Sequence, residues 1–152
     1  MLNFKITSDR GLTESLPENK IVSIVDDEIE STDVFNNAIC GNIDGITVVT
    51  FNDPLIALEH FTDNKENYAM VLSDLRMPKL NGLEFLKKVR NLSDKIRTML
   101  ICECEIETNV VFQHYIQLGI INSYIAKPVT INQLFQKVRD EFLVYQMAIN
   151  LK

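Results

Sequence analysis

From Lys20 onward, short apolar runs alternate five times with stretches of helical period, and few architectures accommodate that rhythm. Ile21-Val22-Ser23-Ile24-Val25 is almost continuously apolar, the pattern of a strand covered on both faces. Ile46–Phe51, Ala69–Leu72, Met99–Cys102 and Ser123–Ala126 read as four further strands. A helix is expected from about Ile29 to Cys40, closed by Gly41, and a second begins at Asn52-Asp53-Pro54. Pro54 suits its first turn, and Leu55, Ala57, Leu58 and Phe61 supply its buried stripe. A third helix follows the turn Met77–Gly82 and carries Leu83, Phe85, Leu86 and Val89. The fourth runs from Thr108 to Leu118 and stops at Gly119; the last begins at Ile131. Parallel neighbours need crossover connections, so this alternation predicts an α/β fold with a five-stranded, doubly wound parallel sheet. Ligands of such sheets sit beyond the carboxyl ends of the strands, where the strand order reverses.

The bulk properties bound the rest. The 152 residues fit one domain, predicted over residues 20–152 with an extended last helix. Residues 1–19 are polar, carry Gly11 and Pro17 and show no sustained period, so a flexible N-terminal arm is expected there. The net charge of −6 argues against a protein that tracks nucleic-acid phosphates. No apolar run approaches the about 20 residues of a membrane span. The opening MLNFKITSDRGL lacks the apolar stretch of a secretory signal. Cys40, Cys102 and Cys104 are odd in number and lack framework spacing, which predicts free thiols in a reducing compartment. A cytoplasmic protein without membrane or nucleic-acid partners is expected.

Three of the apolar runs end in charged residues that the fold would bring to one edge: Asp26 and Asp27 after the first, Asp74 after the third, Lys127 after the fifth. An Asp behind a strand is often only a turn former or N-cap. Three carboxylates together, however, repel one another, since two unit charges about 4 Å apart cost roughly 4 kcal/mol at an effective dielectric near 20. A cation relieves that cost, and Mg²⁺ suits oxygen ligands and is often held by only one or two carboxylates. Lys127 can pair with Asp74 or with an oxygen of a group attached to it.

These segments resemble the receiver domain of two-component response regulators: IVSIVDDE at 21–28, VLSDLRMPKLNGLEFLKKVR at 71–90 and YIAKPVTINQL at 124–134. The resemblance covers residues 20 to about 145 and implies the flavodoxin-like (βα)5 receiver fold, of the stand-alone type. It implies Asp74 as phosphoacceptor. Asp27, Asp74 and the backbone carbonyl of Arg76 would bind Mg²⁺ directly, with Asp26 acting largely through water. Lys127 would contact the phosphoryl group, Pro128 would follow a cis bond, and Tyr124 would be the switch aromatic. The implied partners are a sensor histidine kinase or phosphotransfer protein, and beyond it a downstream protein. The implied chemistry stops at self-phosphorylation and dephosphorylation; no further enzymatic activity is expected.

The fourth strand departs from that pattern. The family places Thr or Ser at its end, followed by a small residue, whereas this chain has Cys102-Glu103-Cys104-Glu105. Counting from Asp74 puts Cys102 at the hydroxyl position, and counting back from Gly119 puts Cys104 there. Either register replaces a hydroxyl by a thiol, a weak donor, and the small residue by Glu. Two other functions stay open: a degenerate receiver that acts as a phosphorylation-independent interaction module, and a haloacid-dehalogenase-like phosphatase, which would want Asp-x-Asp after the first strand. A metal site at Cys102 and Cys104 lacks the further ligands it needs. His60 and His114 lie on helical stretches without evident partners. On the last helix Ile131, Leu134, Phe135, Val138, Phe142 and Tyr145 form a core stripe. The surplus apolar residues Leu143, Val144, Met147, Ile149 and Leu151, with Val110, Val111, Phe112, Tyr115 and Ile116 on the helix before, are either deeply buried or a partner or homodimer face.

Overall fold

The computed structural model describes residues 5–7, 13–15, 19–103 and 105–150. Two short strands, β1 (Lys5–Thr7) and β2 (Thr13–Ser15), pair antiparallel as a separate hairpin. Of the arm expected over residues 1–19, only these two strands and Asn19 are among the described residues.

The main body alternates β3 (Lys20–Val25), α1 (Ile29–Ile39), β4 (Ile46–Phe51), α2 (Pro54–Asn64), β5 (Tyr68–Asp74), α3 (Gly82–Leu92), β6 (Arg97–Cys102), α4 (Val110–Gln117), β7 (Ser123–Ala126) and α5 (Ile131–Asn150). The five strands β3 to β7 form one parallel sheet in the order β4-β3-β5-β6-β7, as the alternation predicts. The order reverses between β3 and β5, and the carboxyl ends of these neighbours carry Asp26 and Asp74.

The continuous apolar runs are explained by cover on both faces. Along β5, Met70 and Leu72 join a core with Phe35 and Ile39 of α1 and Leu134, Val138 and Phe142 of α5. Val71, between them, packs instead with Phe61 of α2, Phe85 and Leu86 of α3 and Phe112 of α4. Helix starts follow local chemistry. Asp53 accepts from the Leu55 amide with Pro54 in the first turn of α2, and Asn81 accepts from the Glu84 amide at the start of α3. The expected fourth helix begins later: residues 106–108 form one 3-10 turn, and Asn109, accepting from the Phe112 amide, caps α4.

The stripe expected on α5 is only partly core. Leu134, Val138, Phe142 and Tyr145 are buried, but Ile131 is exposed, as are Leu143, Val144, Met147 and Ile149. On α4 only Phe112 is buried, while Val110 is 82% exposed and Val111 54%. Deeper burial therefore does not account for this apolar surface.

Candidate functional site at the carboxyl edge of the sheet

Asp26 lies one residue beyond β3, with its backbone fixed on both sides. Its amide donates to Phe51 O at 3.1 Å, and its carbonyl accepts from Asn52 Nδ2 at 2.8 Å. Its side chain is 1% exposed; Oδ1 accepts from the Glu28 amide at 2.9 Å, whereas Oδ2 is buried without a hydrogen-bond partner. Asp74 ends β5 at 7% exposure, and Asp27 stands exposed at the rim. One carboxylate oxygen from each of Asp26, Asp27 and Asp74 lies within 4.8 Å of the others.

Lys127 follows β7, and its amide donates to Cys102 O at 2.8 Å, which ties the loop to β6. Its ammonium lies 2.8 Å from Asp74 Oδ1 and 4.0 Å from Asp26 Oδ2. The Lys127–Pro128 peptide is cis. These groups border a cavity of about 220 Å³ lined by Asp27, Glu28, Asp74, Leu75, Arg76, Cys102, Glu103 and Lys127. A larger neighbouring groove of about 630 Å³, lined by Leu75, Arg76, Met77, Pro78, Asn81, Leu83 and Phe112, holds no carboxylate. The carboxylates of Asp27 and Asp74 and the ammonium of Lys127 line the smaller cavity.

Burial pushes the Asp26 carboxyl up to about 6; repulsion from Asp74 and Asp27 adds to the rise, while the Glu28 amide and Lys127 oppose it. Burial alone would lower the Lys127 ammonium, but its bond to Asp74 and the charges of Asp74, Asp26 and Glu103 outweigh that, and its pKa is raised. Both shifts describe an acidic cluster with too little positive charge. A buried carboxylate oxygen lacking a partner, set among two more carboxylates, fits a hard divalent cation.

The family profile described as response regulator receiver domain matches residues 22–139. The chain belongs to that family. The receiver is 39% identical over 82 residues to the Transcriptional regulatory protein CpxR homolog of Haemophilus influenzae, covering 54% of this chain and 34% of that protein. It is 24% identical over 131 residues to the Cyclic di-GMP phosphodiesterase response regulator RpfG of Xanthomonas campestris pv. campestris, covering 86% of this chain and 34% of that protein. The receiver thus spans about a third of the length of these curated relatives. Its fold matches a response regulator receiver domain protein from Clostridium thermocellum with a TM-score of 0.72 at 22% identity, covering 85% of this chain and 98% of the other. It also matches a CheY-like receiver domain protein from Methanospirillum hungatei JF-1, with a TM-score of 0.73 at 19% identity, covering 86% and 99%. A receiver domain of two-component signalling, with the flavodoxin-like sheet, is established on these grounds.

The structure brings Asp26, Asp27, Asp74 and Lys127 together, with Arg76 and Cys102 lining the same cavity. Cys102 stands at the end of β6, and Cys104, its alternative, lies outside the described residues. The expectation of free thiols needs correction: Cys40 is free, but Cys102 is disulfide-bonded, and a disulfide sulfur has no proton to donate. Tyr124 is not among the residues lining the cavity. Its hydroxyl donates to Glu107 Oε1 at 3.0 Å, and that bond raises its pKa. His60 does have a partner: its Nδ1 lies 2.6 Å from the Tyr68 hydroxyl, and its ring packs on Phe51. Sequence reasoning missed three supporting residues. Asn52, read only as a helix start, braces Asp26; Glu28 borders the cavity; Glu107 holds Tyr124. Asn52 and Glu107 act across the fold rather than through a local pattern, whereas Glu28 is local, its amide donating to the carboxylate two residues before it.

Among the described residues, no helix is long and apolar enough to cross a membrane.

Proposed function

We propose that this receiver accepts a phosphoryl group on Asp74 and that its phosphorylation switches a protein-interaction face. The supporting observation is the placement of Asp74, 2.8 Å from Lys127 and clustered with Asp26 and Asp27. A carboxylate oxygen of Asp74 attacks phosphorus, the new O–P bond forms, and the donor's P–N or P–O bond breaks, its electrons leaving with the nitrogen base or carboxylate. Lys127 pairs first with the Asp74 carboxylate and then with a phosphoryl oxygen. Asp27, Asp74 and the Arg76 carbonyl would hold Mg²⁺, with Asp26 acting through water. Once bound, the ion supplies positive charge that offsets the charge of the transferring group.

The donor would be a histidine kinase or phosphotransfer protein. The exposed residues of α4 and α5 (Val110, Val111, Leu143, Val144 and Met147) offer the face for a downstream protein or a second receiver. A cytoplasmic location accords with such partners. Glu103 and the bonded sulfur of Cys102 favour a second reading, in which phosphorylation occurs without changing that face. A phosphoryl gain that leaves partner binding unaltered would select it.

The test is intact mass after incubation with Mg²⁺ and either phosphoramidate or acetyl phosphate. Wild type should gain one phosphoryl group and Asp74→Ala none; a gain that persists in Asp74→Ala overturns the assignment. Mg²⁺ should bind without any donor, and Asp27→Ala should weaken it by about tenfold or more, the loss of one charged ligand from a small set. Because the Asp26 carboxyl sits at about 6, wild-type affinity should fall as pH drops through that value, where protonation removes one of the three charges. Calorimetry giving equal affinity for wild type and Asp27→Ala, flat across this range, would contradict the site.

A further inference from the structure

Glu103 lines this cavity, and phosphoacceptor chemistry leaves its carboxylate without a task. It follows β6 directly, is exposed, and borders the cavity on the side of Lys127. It also lines the adjoining groove formed by Ser31, Phe35, Lys127, Pro128 and Val129, so it stands at the mouth rather than the floor. Its charge is felt at the Lys127 ammonium.

The charge balance gives it a consequence. Asp27, Glu28, Asp74 and Glu103 line the cavity with two basic side chains, Arg76 and Lys127, and Asp26 lies 4.0 Å from Lys127. Five carboxylates against two cations leave three negative charges, and a bound divalent cation reduces these to one. Replacing Glu103 by a neutral residue would bring the loaded cavity to balance. A donor that enters as a dianion therefore meets net repulsion at the mouth, and one that enters with a proton on its leaving nitrogen meets less.

We propose that Glu103 is a specificity-determining residue that biases Asp74 toward phosphoryl donors with a protonatable nitrogen leaving group and against free acyl phosphates. This rests on the reading of Asp74 as phosphoacceptor. With an acyl phosphate, the P–O bond breaks and the carboxylate leaves with the electron pair. With an N-phosphoryl donor, the P–N bond breaks and the departing nitrogen keeps the pair together with its proton. The two donors thus deliver the same group to Asp74 and differ in the charge they carry past Glu103.

The experiment compares initial rates of phosphoryl gain, by intact mass at fixed Mg²⁺, for acetyl phosphate and phosphoramidate. Glu103→Gln should speed the acetyl phosphate reaction by about fivefold and the phosphoramidate reaction by less than about twofold. Glu103→Asp should keep the wild-type ratio, and high salt should narrow the gap between wild type and Glu103→Gln. Mg²⁺ affinity, measured separately by calorimetry, should change little in Glu103→Gln. Equal acceleration of both donors would show that Glu103 only blocks access, and no change in either would show that its charge is not felt; each overturns the proposal and leaves Asp74 as acceptor. A large loss of Mg²⁺ affinity would assign Glu103 to the metal and overturn it as well. Failure of every donor on wild type overturns both this inference and the phosphoacceptor reading.

Discussion

In the metal-free protein at about pH 7.5, Asp26→Asn is expected to stabilise the fold by on the order of 2 kcal/mol. Asp26 is 1% exposed, one of its oxygens is buried without a hydrogen-bond partner, and Asp27 and Asp74 crowd it. Its carboxyl is raised from 3.8 to about 6 by burial first and by those charges second. The sign follows from proton counting. Between the two values the folded chain holds a proton that the unfolded chain has released, so acidification from neutral pH toward 4 stabilises the fold. Above about 6 the folded state carries the buried charge at full cost. The amide of Asn avoids that cost at neutral pH; the gain should shrink as pH falls through about 6 and vanish only below about pH 4, where Asp26 is neutral in the folded and the unfolded chain alike. Denaturant unfolding of both proteins at the two pH values checks this. Saturating Mg²⁺ should shrink the gain, because the cation stabilises the wild-type folded state by mass action. A destabilising Asp26→Asn at neutral pH in the absence of metal would mean that the carboxylate is satisfied in a way the geometry does not account for.

Gly82→Ala should be the most damaging small substitution near the site. A Cβ at this position would collide with the backbone carbonyl oxygen of Asp74 and come within 3.0 Å of the Leu75 Cα. Neither atom belongs to a side chain that can turn away, so the start of α3 or the end of β5 must move. The Gly82 amide donates to Leu75 O at 2.7 Å, so the movement would also strain the bond joining the two segments. A loss of about 3 kcal/mol is expected, at the upper end of what overpacking costs. The displacement falls on Asp74 itself, so Mg²⁺ affinity should drop even under conditions where the variant is folded. Chemical denaturation and calorimetry report the two effects separately. A Gly82→Ala protein with wild-type stability and affinity would show that the helix can slide without disturbing the acceptor.

The sheet was legible because its strands are covered on both faces, which leaves Ala69–Leu72 as an uninterrupted apolar run and Ile21–Val25 as one broken only by Ser23. Their ends were not. Tyr68 and Arg97 extend β5 and β6 beyond the apolar stretches because pairing with neighbours, not hydropathy, sets the limits of a strand. The β1–β2 hairpin escaped notice because three-residue strands such as Thr13–Ser15 are too short and polar to show a period. At the fourth helix, Asn109 directly before Val110-Val111-Phe112 was a cap signal that the helical period, traced from Thr108, obscured. Asp26, Asp27, Asp74 and Lys127 could be picked out because each follows an apolar run, and topology alone brings them to one edge. The partners of Asp26 and Tyr124 could not, since Asn52 and Glu107 lie 26 and 17 residues away in sequence and nothing in their spacing marks the contact. The exposure of α4 and α5 was likewise undecidable, because an apolar residue looks the same in sequence whether it meets the sheet or a partner.

The identity of the acceptor admits one direct measurement. An acyl phosphate is reduced by borohydride to an alcohol, so trapping the phosphorylated protein and mapping its peptides marks the carboxyl that carried the group. The account predicts homoserine at position 74 and unmodified Asp26 and Asp27, with the mark absent when Mg²⁺ is withheld. A mark at any other carboxyl, or none after the protein has gained a phosphoryl group, would contradict it.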